Sequence, residues 1–452
     1  MKFENKYDTI LRGNIYKAIL YLAMPITINN LIQTLYNLVD SFWIGKIGSV
    51  EFAATTLVWP INYLFVAIGM GFSIAATSII SQLLGADENA EAHKYASQLI
   101  ILSLVSAILL MIIGIFISKT VVKAMGVDDE LLYYGTLYLR LTLLDLPFSF
   151  YFFIFNAIMN SQGNSVVPTV LSGISAIINC VLDPVLMFNF NMGVGGAAIA
   201  TVISKALLAL ACGIYLHKGK STIKPNFKNF KFDKEIILKS LKIAVPSIIG
   251  QSGSSIGFIV LNVFIISYGT ATMAAYGMVN KITSLISQPA MGISSAIVSI
   301  CGQNLGAKNY KRAKDSFKKS IFLTSAIGVI GCIILAWQRV NIINFFIQSK
   351  DDIEVINQGI SYLLFISFSM PLMGIFSSFQ GLFQGSGQTK YAMSMEIGRL
   401  WFVRLPMILF FKYFTVIGSA GIWFSMSFSN LIVCIYGYIL YKKGNWLNNL
   451  IR

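Results

Sequence analysis

Leu22-Ala23-Met24-Pro25-Ile26 and Ile243-Ala244-Val245-Pro246-Ser247 are one phrase written twice, 221 residues apart. Gln82-Leu83-Leu84-Gly85-Ala86 returns as Gln303-Asn304-Leu305-Gly306-Ala307 at the same spacing. A repeat held over so long a stretch without a net gap means two copies of one structural unit. Later segments repeat with small slips. Leu146-Pro147-Phe148 matches Met370-Pro371-Leu372, Asn160-Ser161-Gln162-Gly163-Asn164 matches Gln384-Gly385-Ser386-Gly387-Gln388, and Val194-Gly195-Gly196 matches Ile417-Gly418-Ser419. Three proline pairs recur: Pro25/Pro246, Pro147/Pro371 and Pro184/Pro406. Proline inside a helix frees a backbone carbonyl and permits bending.

The medium for this repeat follows from composition. Of 452 residues, 56% are apolar and 12% charged, where soluble domains carry roughly a quarter charged residues. Phe52–Ala86, Tyr95–Ser118, Leu146–Leu182 and Ile282–Ala307 contain no Asp, Glu, Lys or Arg. A bilayer core needs about 20 apolar residues per helix, and the alternating segments of about ten residues that mark a barrel are missing. Twelve helices are expected near 15–41, 53–83, 94–118, 132–158, 166–188, 195–217, 239–268, 275–304, 317–338, 357–382, 390–412 and 417–441. The fold class is all-α integral membrane: two six-helix bundles related by a pseudo-two-fold axis, around a central cleft. The expected division is a first lobe over 1–217, a basic cytoplasmic linker over 218–238 and a second lobe over 239–452.

The net charge of +15 is a topology signal. Its two densest patches, Lys218 to Lys242 and Lys308-Asn309-Tyr310-Lys311-Arg312-Ala313-Lys314, fall on one side of the predicted spans, with both termini. Positive charge stays cytoplasmic, so a multi-pass protein of the cell membrane with both ends inside is expected. The linker should lie at the inner leaflet, and no nucleic-acid partner is implied. Arg12 and Lys17 lead into a full span, so no cleaved signal peptide is expected. Five cysteines fall within apolar spans with no CxxC spacing, which implies neither a disulfide framework nor a zinc site. His93 and His217 sit at helix ends, which argues against a buried histidine relay.

Taken in order, Ala23-Met24-Pro25, Val39-Asp40-Ser41-Phe42-Trp43-Ile44-Gly45, Gln82-Leu83-Leu84-Gly85-Ala86, Gly163-Asn164, Leu182-Asp183-Pro184 and Gly196-Ala197-Ala198-Ile199-Ala200-Thr201 resemble the multidrug and toxic compound extrusion (MATE) transporters over the whole chain. The resemblance implies a monomeric antiporter that exports small cationic, lipophilic compounds across the bilayer in exchange for Na+ or H+. It implies no enzyme activity and no cofactor beyond that coupling ion.

Four acidic residues fall within predicted spans: Asp40, Asp145, Asp183 and Glu396. A carboxylate in hydrocarbon costs a few kcal/mol or more, so each is a functional candidate. Asp40 lies four residues after Tyr36, Asp183 four after Asn179 and Thr201 four after Ala197, so each pair shares a helical face. These oxygens suit a hard monovalent cation or a shared proton. The resemblance implies that Asp40, Asn179, Asp183 and Thr201 coordinate the ion. It also implies a polar network joined by Tyr36 and Asn156, and a substrate cavity lined by Gln33, Tyr36, Asp40, Asn156 and Asp183. Pro25 and Pro184 are the expected hinges. The repeat supplies a control. Tyr36 and Asp40 map onto Gly257 and Leu261, and Asn179 and Asp183 onto Trp401 and Leu405. The polar set occurs in one copy only, which places the ion site in the first lobe.

The chain departs from the family pattern in its second lobe. Helix 7 offers Gln251 where some relatives carry an acid, helix 10 offers no acid, and Gln384-Gly385-Ser386-Gly387 stands for the usual Arg-Gly-x-Gly. Glu396 and Arg399 are spaced to pair, and Arg404 has no local partner but could meet Asp145 or a substrate anion. Lys205, one turn beyond Thr201 on the same face, could act as a competing internal cation, but is expected to snorkel toward the cytoplasm or find an external partner. Together with Lys281, these cations keep a lipid-linked oligosaccharide flippase as the alternative.

Overall fold

The computed structural model describes residues 10–219, 221–228, 230–347 and 353–447. Both chain termini, expected to be cytoplasmic, lie outside these residues. Among the described residues the chain is helical with no strand. Its helices are α1 (Ile15–Gly45), α2 (Ser49–Gly85), α3 (Asn89–Ala124), α4 (Asp129–Ser161), α5 (Val166–Asn189), α6 (Gly193–Lys218), α7 (Lys234–Ile266), α8 (Thr270–Gly306), α9 (Tyr310–Phe346), α10 (Ile353–Gly385), α11 (389–414) and α12 (Ala420–Lys442). All but α11 are long and apolar enough to cross a membrane. Helices run past several expected limits because polar ends cap them instead of breaking them. Asp128 accepts from Leu131 N at 2.8 Å and Asn309 from Arg312 N at 3.2 Å.

Large apolar side chains cover the outside of these helices. Phe116 and Trp337 are each 78% exposed and Phe402 77%. Water would penalise such a surface heavily, whereas lipid would not.

The repeat is visible in the backbone. Asp87 and Lys308, 221 residues apart, both turn left-handed at φ 61° and 58°. Ala86 N and Ala307 N donate to Gln82 O and Gln303 O, each at 2.9 Å. Both turns therefore close their helix with the same pair of bonds.

Two compact units result. One comprises Ile28–Ile248; the other comprises the chain from Ile249 onward together with the described residues up to Thr27. The expected halves are thus exchanged at their leading ends. Helix α1 changes unit after Thr27 and α7 after Ile248, two residues beyond Pro25 and Pro246 and 221 apart. Glycines make the exchange possible. A Cβ on Gly71 would meet Ile248 N at 3.0 Å and Ala244 O at 3.2 Å; one on Gly292 would meet Ala23 O at 2.9 Å. Only glycine lets the backbones approach this closely, and the two glycines are again 221 apart.

Candidate cation site

The polar residues of the first unit converge where α1, α5 and α6 meet. Helix α5 opens into a π turn, Val185–Asn189, immediately after Pro184. Phe190 N reaches back to Val185 O at 3.1 Å, the wider register of that turn. Gly196 lets α6 press against it: a Cβ there would lie 2.8 Å from Met187 N. Ile44, Met187, Val194 and Ala197 form a small core beside the contact, with Tyr138 packed against it.

A hydrogen-bonded chain runs through this junction. Thr201 Oγ1 donates to Ala197 O at 3.1 Å. That leaves Tyr36 OH, 3.0 Å away, to donate to Thr201 Oγ1. The Asn179 amide satisfies both ends when its nitrogen donates to Asp183 Oδ2 at 3.0 Å and its oxygen accepts from Thr201 N at 3.1 Å. Asp183 and Asn179 are almost fully buried. Asp40 and Asp183 lie close enough to act on one another electrostatically, and both act on Tyr138. Asp40 Oδ1 and Asp183 Oδ1 are buried with no hydrogen-bond partner among the described residues. Two carboxylate oxygens without donors fit a monovalent cation or a proton: buried anionic oxygens are costly until something positive meets them.

Tyr36, Asn179, Asp183, Ala197 and Thr201 are thus joined by hydrogen bonds, with Asp40 beside them. Gln33 Nε2 donates to Ser172 Oγ at 2.8 Å, and Gln33, Tyr36, Ser172, Ser175, Asn179, Ser204 and Lys205 line a small polar cavity. Asn156 makes no bond to this chain; its Oδ1 accepts from Asn160 Nδ2 one turn along α4, at 3.1 Å. Among the described residues, no group of three His, Cys, Asp or Glu is placed to hold a metal ion.

Lys205 lines the polar cavity, and the acid that acts on it electrostatically is Asp145 on α4, so of the expected alternatives it is the partner outside its own helix that the packing favours. Arg404 finds partners within the second unit: its Nε donates to Ser429 Oγ at 3.0 Å and its Nη2 to Met426 O at 3.3 Å. Glu396 does pair with Arg399, at 3.1 Å, and also accepts from Ser254 and Gln380. Tyr138, Ser172 and Ser175 were missed by sequence reasoning. A signal existed for Tyr138, which precedes Asp145 by two helical turns and so shares its face.

In the second unit the same repeat positions are apolar. Leu261, Leu400 and Leu405 are core residues with Trp401 packed against them, and Trp401 Nε1 donates to Gly253 O at 2.8 Å.

The MatE family model matches residues 25–185 and 246–410, so each match begins at one of the paired prolines. The chain belongs to the MATE family. Probable multidrug resistance protein YoeA of Bacillus subtilis (strain 168) is 25% identical over 444 residues, covering 96% of this chain and 95% of that protein. Multidrug export protein MepA of Staphylococcus haemolyticus (strain JCSC1435) is 26% identical over 437 residues, covering 96% and 95%. A multidrug resistance MATE family transporter of the MOP superfamily, solved in an outward-facing conformation, superposes with a TM-score of 0.91 at 24% identity, covering 96% of this chain and 97% of that one. A MOP superfamily transporter from Pyrococcus furiosus superposes with a TM-score of 0.91 at 24% identity, covering 98% of each chain. This MATE chain is therefore a multi-pass membrane transporter, and its multidrug relatives do not favour the flippase alternative.

Proposed function

We propose that this transporter exports small cationic, lipophilic compounds in exchange for Na+ or H+ entering at the first unit. Asp40, Asn179, Asp183 and Thr201 hold the entering cation, and Tyr36 and Ala197 fix Thr201. The observation that supports this most directly is the pair of buried carboxylate oxygens without donors, on residues absent from the second copy. Export of lipophilic cations is carried over from the multidrug relatives, and the buried carboxylates of Asp40 and Asp183 beside the polar cavity supply the negative charge that would attract such cargo.

The antiport follows from charge. With Asp40 and Asp183 ionised, the site repels itself and attracts a cationic cargo. Burying an uncompensated charge costs several kcal/mol. An entering cation, or a proton shared by the two carboxyls, removes that cost and the attraction for cargo together. The conformation with closely packed α1, α5 and α6 then becomes favourable, and the cargo leaves. The ion shifts the balance only by binding one arrangement better than the other. Pro25 and Pro184, which interrupt the bonding of α1 and α5, are the proposed hinges.

Dye efflux from vesicles under an imposed Na+ gradient, and then under a proton gradient, tests the proposal. One of the two should drive export. Asp183→Asn or Asp40→Asn at normal membrane levels should reduce it by at least about tenfold. Undiminished export by both variants would overturn the assignment.

A further inference from the structure

The segment joining α6 to α7 does more than connect them. It carries Lys224, Lys228 and Lys231, with Lys234 where α7 begins, all exposed, and none forms an ion pair among the described residues. The acids of this stretch are already committed: Asp233 to Lys94 at 2.7 Å and Glu235 to Lys239 at 2.9 Å. Between the lysines stand two exposed rings, Phe227 at 37% and Phe232 at 56%.

The segment is also held in a fixed shape on the first unit. Thr222 N donates to Gln162 Oε1 at 2.9 Å, Lys224 N to His93 Nδ1 at 2.9 Å and Asn226 N to Ser97 Oγ at 2.9 Å. Lys231 O accepts from Gln98 Nε2 at 2.6 Å. Side chains of α3, and Gln162 directly after α4, thus anchor the backbone while lysines and phenylalanines project outward. Because the segment ends one apolar span and begins the next, it lies at the face of the bilayer.

We propose that this segment binds the phosphodiester headgroups of anionic phospholipids, with Phe227 and Phe232 seated among the acyl chains and the four lysines on the phosphates. Alternation of basic and aromatic residues matches that boundary, where a charged layer adjoins an apolar one. A soluble anion such as inorganic phosphate would satisfy the lysines but leave both rings in water. Bound lipid would fasten the segment directly before α7, the helix that changes unit after Ile248.

Native mass spectrometry of the purified full chain tests this, using phosphatidylglycerol and phosphatidylcholine of identical acyl chains. The parent should retain phosphatidylglycerol preferentially. The combined Lys224→Gln, Lys228→Gln, Lys231→Gln and Lys234→Gln variant should lose that preference by at least about fivefold, and the corresponding Lys→Arg variant should keep it. A nitroxide on Phe232→Cys should be reached by oxygen dissolved in the bilayer when phosphatidylglycerol is present, and this measurement stands if the glutamine variant does not fold. Equal retention of the two lipids by the parent would overturn the proposal. So would displacement of phosphatidylglycerol by inorganic phosphate or a short RNA, or a label open only to aqueous relaxants. No readout depends on transport, so the outcome is separate from the identity of the coupling ion.

Discussion

Asp40 and Asp183 each keep a buried oxygen without a donor, although Asn179, Thr201 and Tyr36 supply a connected set of hydrogen bonds beside them. This division separates the residues that carry charge from those that shape the space around it. The Tyr36 phenol donates to a hydroxyl and meets no charge directly. Tyr36→Phe should therefore weaken the dependence of efflux on the driving cation by about fivefold, the worth of one net hydrogen bond of about 1 kcal/mol. Half-saturating cation concentrations measured on both proteins in vesicles check this; loss as complete as in Asp183→Asn would mean that the phenol itself bears the cation. All these residues were legible in the sequence. Spans leave few places for a carboxylate, and a four-residue spacing fixes its neighbours. Lys205 was not legible, because a long flexible side chain at mid-helix can run inward or outward and only the packing around it decides which.

At the level of single elements, prolines and polar caps govern the helices. Pro184 precedes the π turn of α5, and Pro406 follows the π turn Gly398–Arg404 of α11. A proline cannot bond to the carbonyl four residues back, and a widened turn accommodates the loss. Pro25 lies inside α1 at a comparable weak point. Pro25→Ala should raise the melting temperature while slowing efflux several-fold, since an interior proline costs a helix about 3 kcal/mol. Thermal unfolding and dye efflux measured on one preparation check both halves, and faster efflux would remove Pro25 as a hinge. The linker offers a pH test. The Lys94 ammonium holds the Asp233 carboxyl below the usual carboxylate range, helped by the N–H groups of Ile236 and Glu235. A depressed carboxyl contributes stability at every pH above its unfolded value, about 4, and loses it as pH falls through the lower folded value. Protection from hydrogen exchange at the Glu235 and Ile236 amides, which donate to Asp233 Oδ1 at 3.0 Å and 3.3 Å, measured against the intrinsic rate at each pH, should therefore hold down to mildly acidic pH and fall only below it. Asp233→Asn should lose much of this protection already at neutral pH.

On the scale of the whole chain, two copies of one unit keep the same packing devices and differ in polarity. Gly71 and Gly292 stand at equivalent positions and admit equivalent helices. Gly71→Ala and Gly292→Ala should each destabilise the protein by roughly 1–3 kcal/mol, the usual consequence of forcing extra volume into packed backbone. Melting temperatures in detergent check this, and a large effect from one substitution alone would show that the copies are not mechanically equivalent. Asp40 and Leu261 occupy equivalent positions with opposite character, one a buried acid and the other in an apolar core.

The repeat, the twelve helices and the carboxylates of the first unit are determined by the sequence alone, because hydropathy and helical spacing are local properties that a linear pattern records. The expected lobes over 1–217 and 239–452 were drawn from the same pattern, which assigns each helix whole. Tertiary structure decided that α1 and α7 are each shared between the units. Where a helix belongs along its length depends on which neighbours approach its backbone, and the glycines that allow this are remote in sequence, Gly71 lying against Ala244 and Ile248 and Gly292 against Ala23. It also decided the facing of Lys205, the partners of Arg404 and the projection of Phe227 and Phe232 from an anchored linker. Each of those depends on contacts between residues that no helical period relates.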